Sequence, residues 1–382
     1  MARVFIPKEI LEGETRVAAT RETVGKLKKA GLEVLVEKDA GAASFSYDDA
    51  FVQAGARVVA DAQTGYAEAD VVLKVREPTL AEIGLMKPDS VVIAHLVPQS
   101  ALDEVRALCD RKISFFSMNL VPRISRAQSM DALSSQANIA GYKAVLLAAA
   151  ALPRYFPLLT TAAGTVKAAK VVIMGAGVAG LQAIATARRL GAQVWATDVR
   201  IAVREQVMSL GAKFIDVPGM EDLEDERGYA KEATPEFLER QRQIVGDQIA
   251  ESDVVVTTAL IPGRKAPLLV PTELVMRMKP GSVIVDLAAE QGGNCAETVA
   301  GETVLRHGVT IVGPKNIPAS MPMHASELYA RNIANLFQSM VKDGKVTLDF
   351  EDEVVVGSCV THAGEVKHAA TAALVSGQGA KN

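Results

Sequence analysis

The sequence predicts an α/β fold of two doubly wound, mostly parallel sheets, and three observations carry that prediction. Short runs rich in Val and Ile alternate with helical segments along most of the chain. One run, Val171, Val172 and Ile173, leads into Gly175-Ala176-Gly177-Val178-Ala179-Gly180 and then a helical stretch. A second strand, residues 193–197, closes on Asp198. At 382 residues the chain is long enough for two domains.

In order, residues 4–6 read as a strand, and 20–30 as a helix stopped by Gly31. Extended runs follow at 33–37, 71–75, 91–96 and 113–118, with helical segments between them. Residues 126–152, rich in Ala, Ser and Gln, have helical spacing and end at Pro153 and Pro157. Beyond the glycine turn, strands are expected at 254–258, 282–287 and 309–312. An amphipathic helix over 325–342 carries Leu328, Tyr329, Ile333, Leu336, Phe337 and Met340 on one face. The tail, 346–374, has β-like runs about an Ala363-Gly364 turn and is expected to return to the first domain. The domains are therefore drawn as 1–134 plus 322–382, and 135–321, both Rossmann-like, joined by two long helices with a cleft between them.

The glycine turn is informative because of its setting between a strand and a helix. Gly175 permits the tight turn, Gly177 lets backbone approach a pyrophosphate, and Gly180 allows close packing of helix on strand. The helix N-terminus that follows offers unpaired N–H groups to an anion. Asp198 is positioned to accept from adenosine ribose hydroxyls and to repel a 2′-phosphate, which favours NAD(H) over NADP(H). Arg200 lies close enough to soften that preference.

Composition excludes other classes. Hydrophobic residues make up 49% and charged residues 23%, which suits a globular protein with a large core. Net charge is −4, and no Lys/Arg cluster resembles a nucleic-acid footprint. Cys109, Cys295 and Cys359 are widely spaced and odd in number, and no metal-ligand spacing is present. No signal peptide precedes the first strand, and the longest apolar run, 144–152, is half a membrane span. A cytoplasmic chain without its own membrane span is expected. Residues 217–237, with five acids among 221–226, read as a mobile surface loop.

The segment VPRISRAQSMDALSSQANIAGYKAV, residues 121–145, resembles the signature of one family. That family is the NAD(H)-binding component, domain I, of the proton-translocating nicotinamide nucleotide transhydrogenase. The stretches GAGVAGLQAIATARRLGA, Gly228-Tyr229-Ala230-Lys231, TTALIPGRKAP and VIVDLAAEQGGNC are similar to it as well. The resemblance implies that Arg123, Gln128 and Asp131 lie at the nicotinamide end of NAD(H), with Ser134, Ser129 and Met130 beside them. It implies cofactor contacts from Gly175, Gly177, Val178 and Gly180, and from Asp198, Val199 and Arg200 around the ribose. Ala259 and Leu260 are added to these, and Gly228 and Tyr229 match a loop that closes over nucleotide. It further implies a homodimer at the cytoplasmic face of the inner membrane, an NADP(H)-binding partner subunit and a membrane-spanning subunit.

Physical chemistry agrees with those residue types. Direct hydride transfer needs two C4 carbons aligned at about 3–3.5 Å, with no general acid or base at the transferred centre. Arg, Gln, Asp and Ser in one short loop can hold a ring and exclude water, and Arg123 could pair with Asp131. Without the resemblance the same loop reads first as a polar helix N-terminus with Asp and Ser as caps.

A second resemblance is to alanine dehydrogenase. Arg16, Lys74 and His95 stand where that enzyme binds substrate and moves a proton. Its VDxAxDQGG aspartate is Glu290 here, and the RISRAQSMD loop is foreign to it. A non-catalytic NAD(H) sensor is a third reading.

Overall fold

A computed structural model describes residues 1–217, 235–261 and 264–376. The chain folds as two units, Met1–Gln136 with Pro318–Asn382, and Ala137–Ile317. Strands are numbered along the chain. The first unit opens with β1 (Arg3–Ile6), β2 (Glu33–Glu37), β3 (Arg57–Val59), β4 (Val71–Leu73), β5 (Val91–Ala94) and β6 (Ser114–Ser117). The second holds a hairpin, β7 (Leu159–Thr161) and β8 (Gly164–Val166). Its sheet strands are β9 (Lys170–Met174), β10 (Gln193–Thr197), β11 (Lys213–Phe214), β12 (Val254–Thr257), β13 (Val283–Asp286), β14 (Thr303–Arg306) and β15 (Val309–Val312). The returning chain adds β16 (Val341–Lys342), β17 (Lys345–Val346), β18 (Cys359–His362) and β19 (Glu365–Val366).

In the first unit the order is β19-β18-β6-β5-β4-β1-β2-β3, parallel from β6 to β3. The tail joins it antiparallel, through β18 on β6 and an Ala363-Gly364 turn with φ of 51° and 85°. The strands read as continuous apolar runs because both faces are covered. Val4, Val34, Val71 and Ile93 enter one core, while Phe5, Leu35, Val72 and Val92 enter the other. Thr20 caps the helix Arg21–Lys29 through a capping box with Thr23.

In the second unit the order is β11-β10-β9-β12-β13-β15-β14, parallel except for the β14 edge. The chain runs outward from β9 through β10 to β11, then resumes at β12 on the other side. The C-terminal ends of β9 and β12 are thus the switch point at which such sheets take ligands.

Three expectations need correction. Residues 126–152 are not one helix: a 3-10 turn, Ser125–Met130, is separated from the helix Ala132–Ala151 by Asp131 at ψ 88°. The Asp131 carboxylate accepts the Ser134 N–H at 2.8 Å and so starts the helix there. The second long helix runs Pro322–Gln338 and not to Lys342, because Asp343 and Gly344, with φ of 50° and 70°, turn β16 into β17. It lies wholly within the first unit, which the chain re-enters at Pro318. Strands β3, β11 and β14, short and at or near sheet edges, fall outside the expected set. Most of the acidic loop expected over 217–237 lies outside the described residues, with Gly228 and Tyr229.

Candidate functional site

The glycine turn in the second unit is built by contact. Gly175 adopts φ +98°, and a Cβ on Gly180 would lie 1.9 Å from the Gly175 carbonyl oxygen. Glycine is therefore forced at both positions by the protein's own backbone. Gly177 differs: a Cβ there would meet only Arg200 Nη2, at 3.8 Å. Nothing in the fold demands glycine at 177, so the open space in front of it is what its lack of side chain serves. Gly177 begins the helix Val178–Arg189 without a side-chain cap, and Val178 is 40% exposed. A diphosphate fits this cradle of backbone N–H groups.

Asp198 follows β10 at the same edge but does not stand open. Its Oδ2 accepts from Ala176 N at 2.7 Å and Arg200 Nη2 at 2.8 Å. Its Oδ1 accepts from Arg200 N and Nε, both at 2.9 Å. The four lone-pair sites of the carboxylate are taken within the chain. Any ligand hydroxyl seeking this carboxylate would have to displace Arg200 or bind through it, which the sequence does not reveal. Beside them, Thr197 Oγ1 is buried without a partner.

The other side of the switch point is held by two residues that sequence reasoning passes over. Asn294 Oδ1 accepts from Ala259 N at 3.1 Å, and its Nδ2 donates to the Ala259 and Pro267 carbonyls at 2.9 and 2.8 Å. Asp286, fully buried, accepts from Thr257, Ala288, Asn294, Cys295 and Thr298. Thr258 Oγ1 donates to the Met174 and Gly175 carbonyls, tying this loop to the glycine turn. Ala259 and Leu260, the latter 40% exposed, are thereby fixed beside Gly175. Glu290 accepts from Asn316 N at 3.0 Å near the surface. Burial pushes the Cys295 thiol up to about 11 and that of Cys359 to about 12, so neither is a ready nucleophile.

The RISRAQSMD loop lies in the first unit. Ala127 and Met130, three apart in a 3-10 turn, share one face and are buried against Tyr329, Ile333, Leu336 and Phe337. Arg123, Gln128 and Ser129 are exposed. Asp131 and Ser134 are brought together, the Ser134 hydroxyl donating to Asp131 Oδ2 at 2.6 Å. Arg126 makes a bidentate pair with Asp352, at 2.9 and 2.7 Å, which in turn caps the helix Glu353–Ser358. The loop is pinned underneath and along one side, with Gln128 outward.

Arg16, Lys74 and His95 also belong to the first unit, and internal groups occupy all three. Glu14 takes Arg16 Nε and Nη2 at 2.8 and 2.6 Å, and Gln136 Oε1 takes Nη1 at 3.0 Å. Lys74, fully buried, lies 2.6 Å from Glu82 and 3.4 Å from Glu9. These carboxylates outweigh burial and hold its ammonium charged. Burial and the Arg16 charge push His95 down to about 3. Asn119 Oδ1 already accepts Leu96 N–H, so the proton facing it at 3.0 Å is on His95 Nδ1. Among the described residues no helix is long and apolar enough to cross a membrane.

Fold and glycine turn together define a dinucleotide-binding α/β protein of the Rossmann type. The chain matches the descriptions "Alanine dehydrogenase/PNT, N-terminal domain" over residues 5–140 and "Alanine dehydrogenase/PNT, C-terminal domain" over 144–369. It is 49% identical to an NAD(P) transhydrogenase subunit alpha polypeptide of Rhodospirillum rubrum, across 99% of this chain and 100% of that one. The crystal structure of transhydrogenase from Sinorhizobium meliloti is similar at TM-score 0.88 and 48% identity, covering 95% of this chain and 99% of that one. An L-alanine dehydrogenase structure is similar at TM-score 0.79 and 28% identity, over 98% and 99%. This chain belongs to the alanine dehydrogenase/PNT family, among the transhydrogenase alpha subunits, and is a component of an oxidoreductase.

Proposed function

We propose that this chain is the NAD(H)-binding subunit of a proton-translocating transhydrogenase, acting as a homodimer on the cytoplasmic face of the inner membrane. When bound, NADH supplies the hydride, which passes to NADP⁺ held on a partner subunit; proton translocation belongs to membrane-spanning subunits. Gly175, Gly177 and Gly180 shape the diphosphate cradle, and Val178 forms its exposed lip. Asp198, Val199 and Arg200 receive the adenosine ribose, while Ala259 and Leu260 line the switch point. Arg123, Gln128, Ser129, Met130, Asp131 and Ser134 orient the nicotinamide and keep water from it. Gly228 and Tyr229 of the acidic loop complete the cofactor contacts.

The observation that carries this reading over an amino-acid dehydrogenase is the state of Arg16 and Lys74. Each meets a carboxylate of its own unit within 2.6 Å, so an incoming amino-acid carboxylate would have to evict a buried partner. His95, neutral far below physiological pH, is bonded to the Asn119 amide oxygen, which cannot take up a proton in turn. Hydride transfer asks for neither group.

Purified chain mixed with its NADP(H)-binding partner should transfer hydride from NADH to an NADP⁺ analogue, and should not turn over alanine alone. Rapid alanine oxidation by the isolated chain overturns the proposal in favour of the dehydrogenase. Nucleotide binding with no exchange, even with the partner present, overturns it in favour of a sensor.

A further inference from the structure

The buried Arg16 has a second set of contacts that links it to the RISRAQSMD loop. Arg16 Nη1 donates to Gln136 Oε1 at 3.0 Å, and Gln136 Nε2 donates to Ser135 Oγ at 3.3 Å. Ser135 Oγ donates to Asn332 Oδ1 at 2.7 Å, and Asn332 Nδ2 donates to the Ser129 carbonyl at 2.9 Å. Every step runs in the same direction. The two ends leave no choice, because a guanidinium only donates and a carbonyl only accepts. Each amide between them must therefore turn its oxygen towards Arg16 and its nitrogen towards the loop. Bonds chained head to tail polarise one another, so a charged first donor strengthens the last bond. Glu14 holds that donor in place by a bidentate pair.

The far end of the chain is placed where it matters for the loop. Asn335 Nδ2 also donates to the Ser129 carbonyl, at 3.2 Å, so both lone pairs of that oxygen are taken. Asn332 and Asn335 are three apart on the helix Pro322–Gln338 and converge on one atom. Gln128 and Ser129 therefore stand between two buried apolar anchors, Ala127 and Met130, with the intervening peptide fixed from below. Anchors alone set the depth of the loop. The carbonyl clamp also sets its rotation, and rotation decides where the Gln128 carboxamide points.

We infer that Asn332 is a positioning residue for Gln128, and that Arg16 serves as the charged origin of the hydrogen-bond chain that holds it, instead of binding a substrate. The consequence for hydride transfer rests on the transhydrogenase reading above; the clamp itself does not.

The test uses Asn332→Asp, which keeps the shape but puts an acceptor against the Ser129 carbonyl, with Asn332→Ala as the milder second variant. Amide hydrogen exchange over residues 125–131 should quicken in both beyond any change elsewhere in the first unit, and Asn332→Asp, which buries a charge, should lower the melting temperature more than Asn332→Ala. Unchanged exchange overturns the clamp whatever the protein's activity. With the NADP(H)-binding partner, single-turnover transfer at saturating nucleotide should fall by about tenfold or more while NADH affinity stays within about twofold. A merely structural role would lower NADH affinity together with rate, and that result overturns positioning. Adding Asn332→Asp to Gln128→Asn should cost no further rate if one acts through the other; additive losses overturn the link. Wild-type chain that transfers nothing sinks the transhydrogenase reading, and with it the positioning of Gln128 for transfer, and leaves the exchange result to decide the clamp.

Discussion

Asp198 and Arg200, two residues apart, hold each other through three hydrogen bonds of 2.8–2.9 Å at the end of β10. The acid expected to meet a ribose meets a guanidinium first. At 8% exposed, the carboxylate holds that pair out of solvent, and the proposed nucleotide preference must act through it. Replacing Asp198 by Asn removes the charge that repels a 2′-phosphate and loosens Arg200 towards it. NADH affinity should fall and NADPH affinity should rise, shifting their ratio by at least about tenfold. Titration of both nucleotides measures it; an unchanged ratio would show that Asp198 has no role in the choice.

Gly177 and Gly180 are three residues apart yet should respond oppositely to alanine. At 180 the new methyl would lie 1.9 Å from a carbonyl oxygen and must push strand from helix, costing about 1–3 kcal/mol. At 177 it meets nothing nearer than 3.8 Å, so thermal stability should hold. In the transhydrogenase reading NADH affinity should nonetheless drop about tenfold or more, because the methyl would enter the space proposed for the diphosphate. Calorimetric melting and NADH titration of both variants separate the two roles. Equal loss of stability at both sites would refute the distinction.

What is legible in the sequence has a local cause. The inner strands can be read because burial on both faces demands unbroken apolar runs, as in Val71–Leu73 and Val254–Thr257. Gly175 can be read because only glycine is at ease at φ +98°. The edge strand Arg57–Val59 is hidden by a charged, exposed first residue and a length of three. The Asp343-Gly344 turn is present in the letters, but the helical period of residues 325–337 runs directly up to it and masks the boundary. Asn294, Asp286 and Asn332 are invisible for another reason. The bonds of Asn294 and Asn332 join backbone and side chains tens or hundreds of residues away. Those of Asp286 gather five donors from two loops and a strand, and a lone Asn or Asp carries no period. The Asp198–Arg200 closure escapes because sequence places an acid at a strand end without saying which of its lone pairs are spent.

Lys74 lies between Glu82 and Glu9 with no exposed surface, and Tyr66 OH donates to Glu82 at 2.8 Å. Replacing Lys74 by Met strands two buried carboxylates and should destabilise the first unit by about 3–5 kcal/mol. Adding Glu82→Gln should restore some of that loss. Chemical unfolding of the single and double variants measures both. In the transhydrogenase reading, whatever protein remains folded should transfer hydride at the normal rate. A Lys74→Met variant that kept its stability but lost transfer would give the lysine a chemical role.

His95 provides a pH test of the same region. Burial first, then the neighbouring Arg16 charge, push it down to about 3; the Asn119 hydrogen bond opposes them, Arg76 adds a smaller push down and Glu14 a smaller one up. An unfolded histidine titrates near about 6.5. Between those values the unfolded chain binds a proton that the folded chain refuses. This contribution is therefore fully present above about pH 6.5 and is lost as pH falls towards 3, by about 1.4 kcal/mol per pH unit for one proton. Replacing His95 by Gln keeps a donor for Asn119 and removes the titration. Urea unfolding from pH 7 down to about 4.5 should show a shallower loss of stability in the variant, by one proton's slope. Parallel curves would mean that His95 is protonated in the folded chain, and would restore it as a candidate acid.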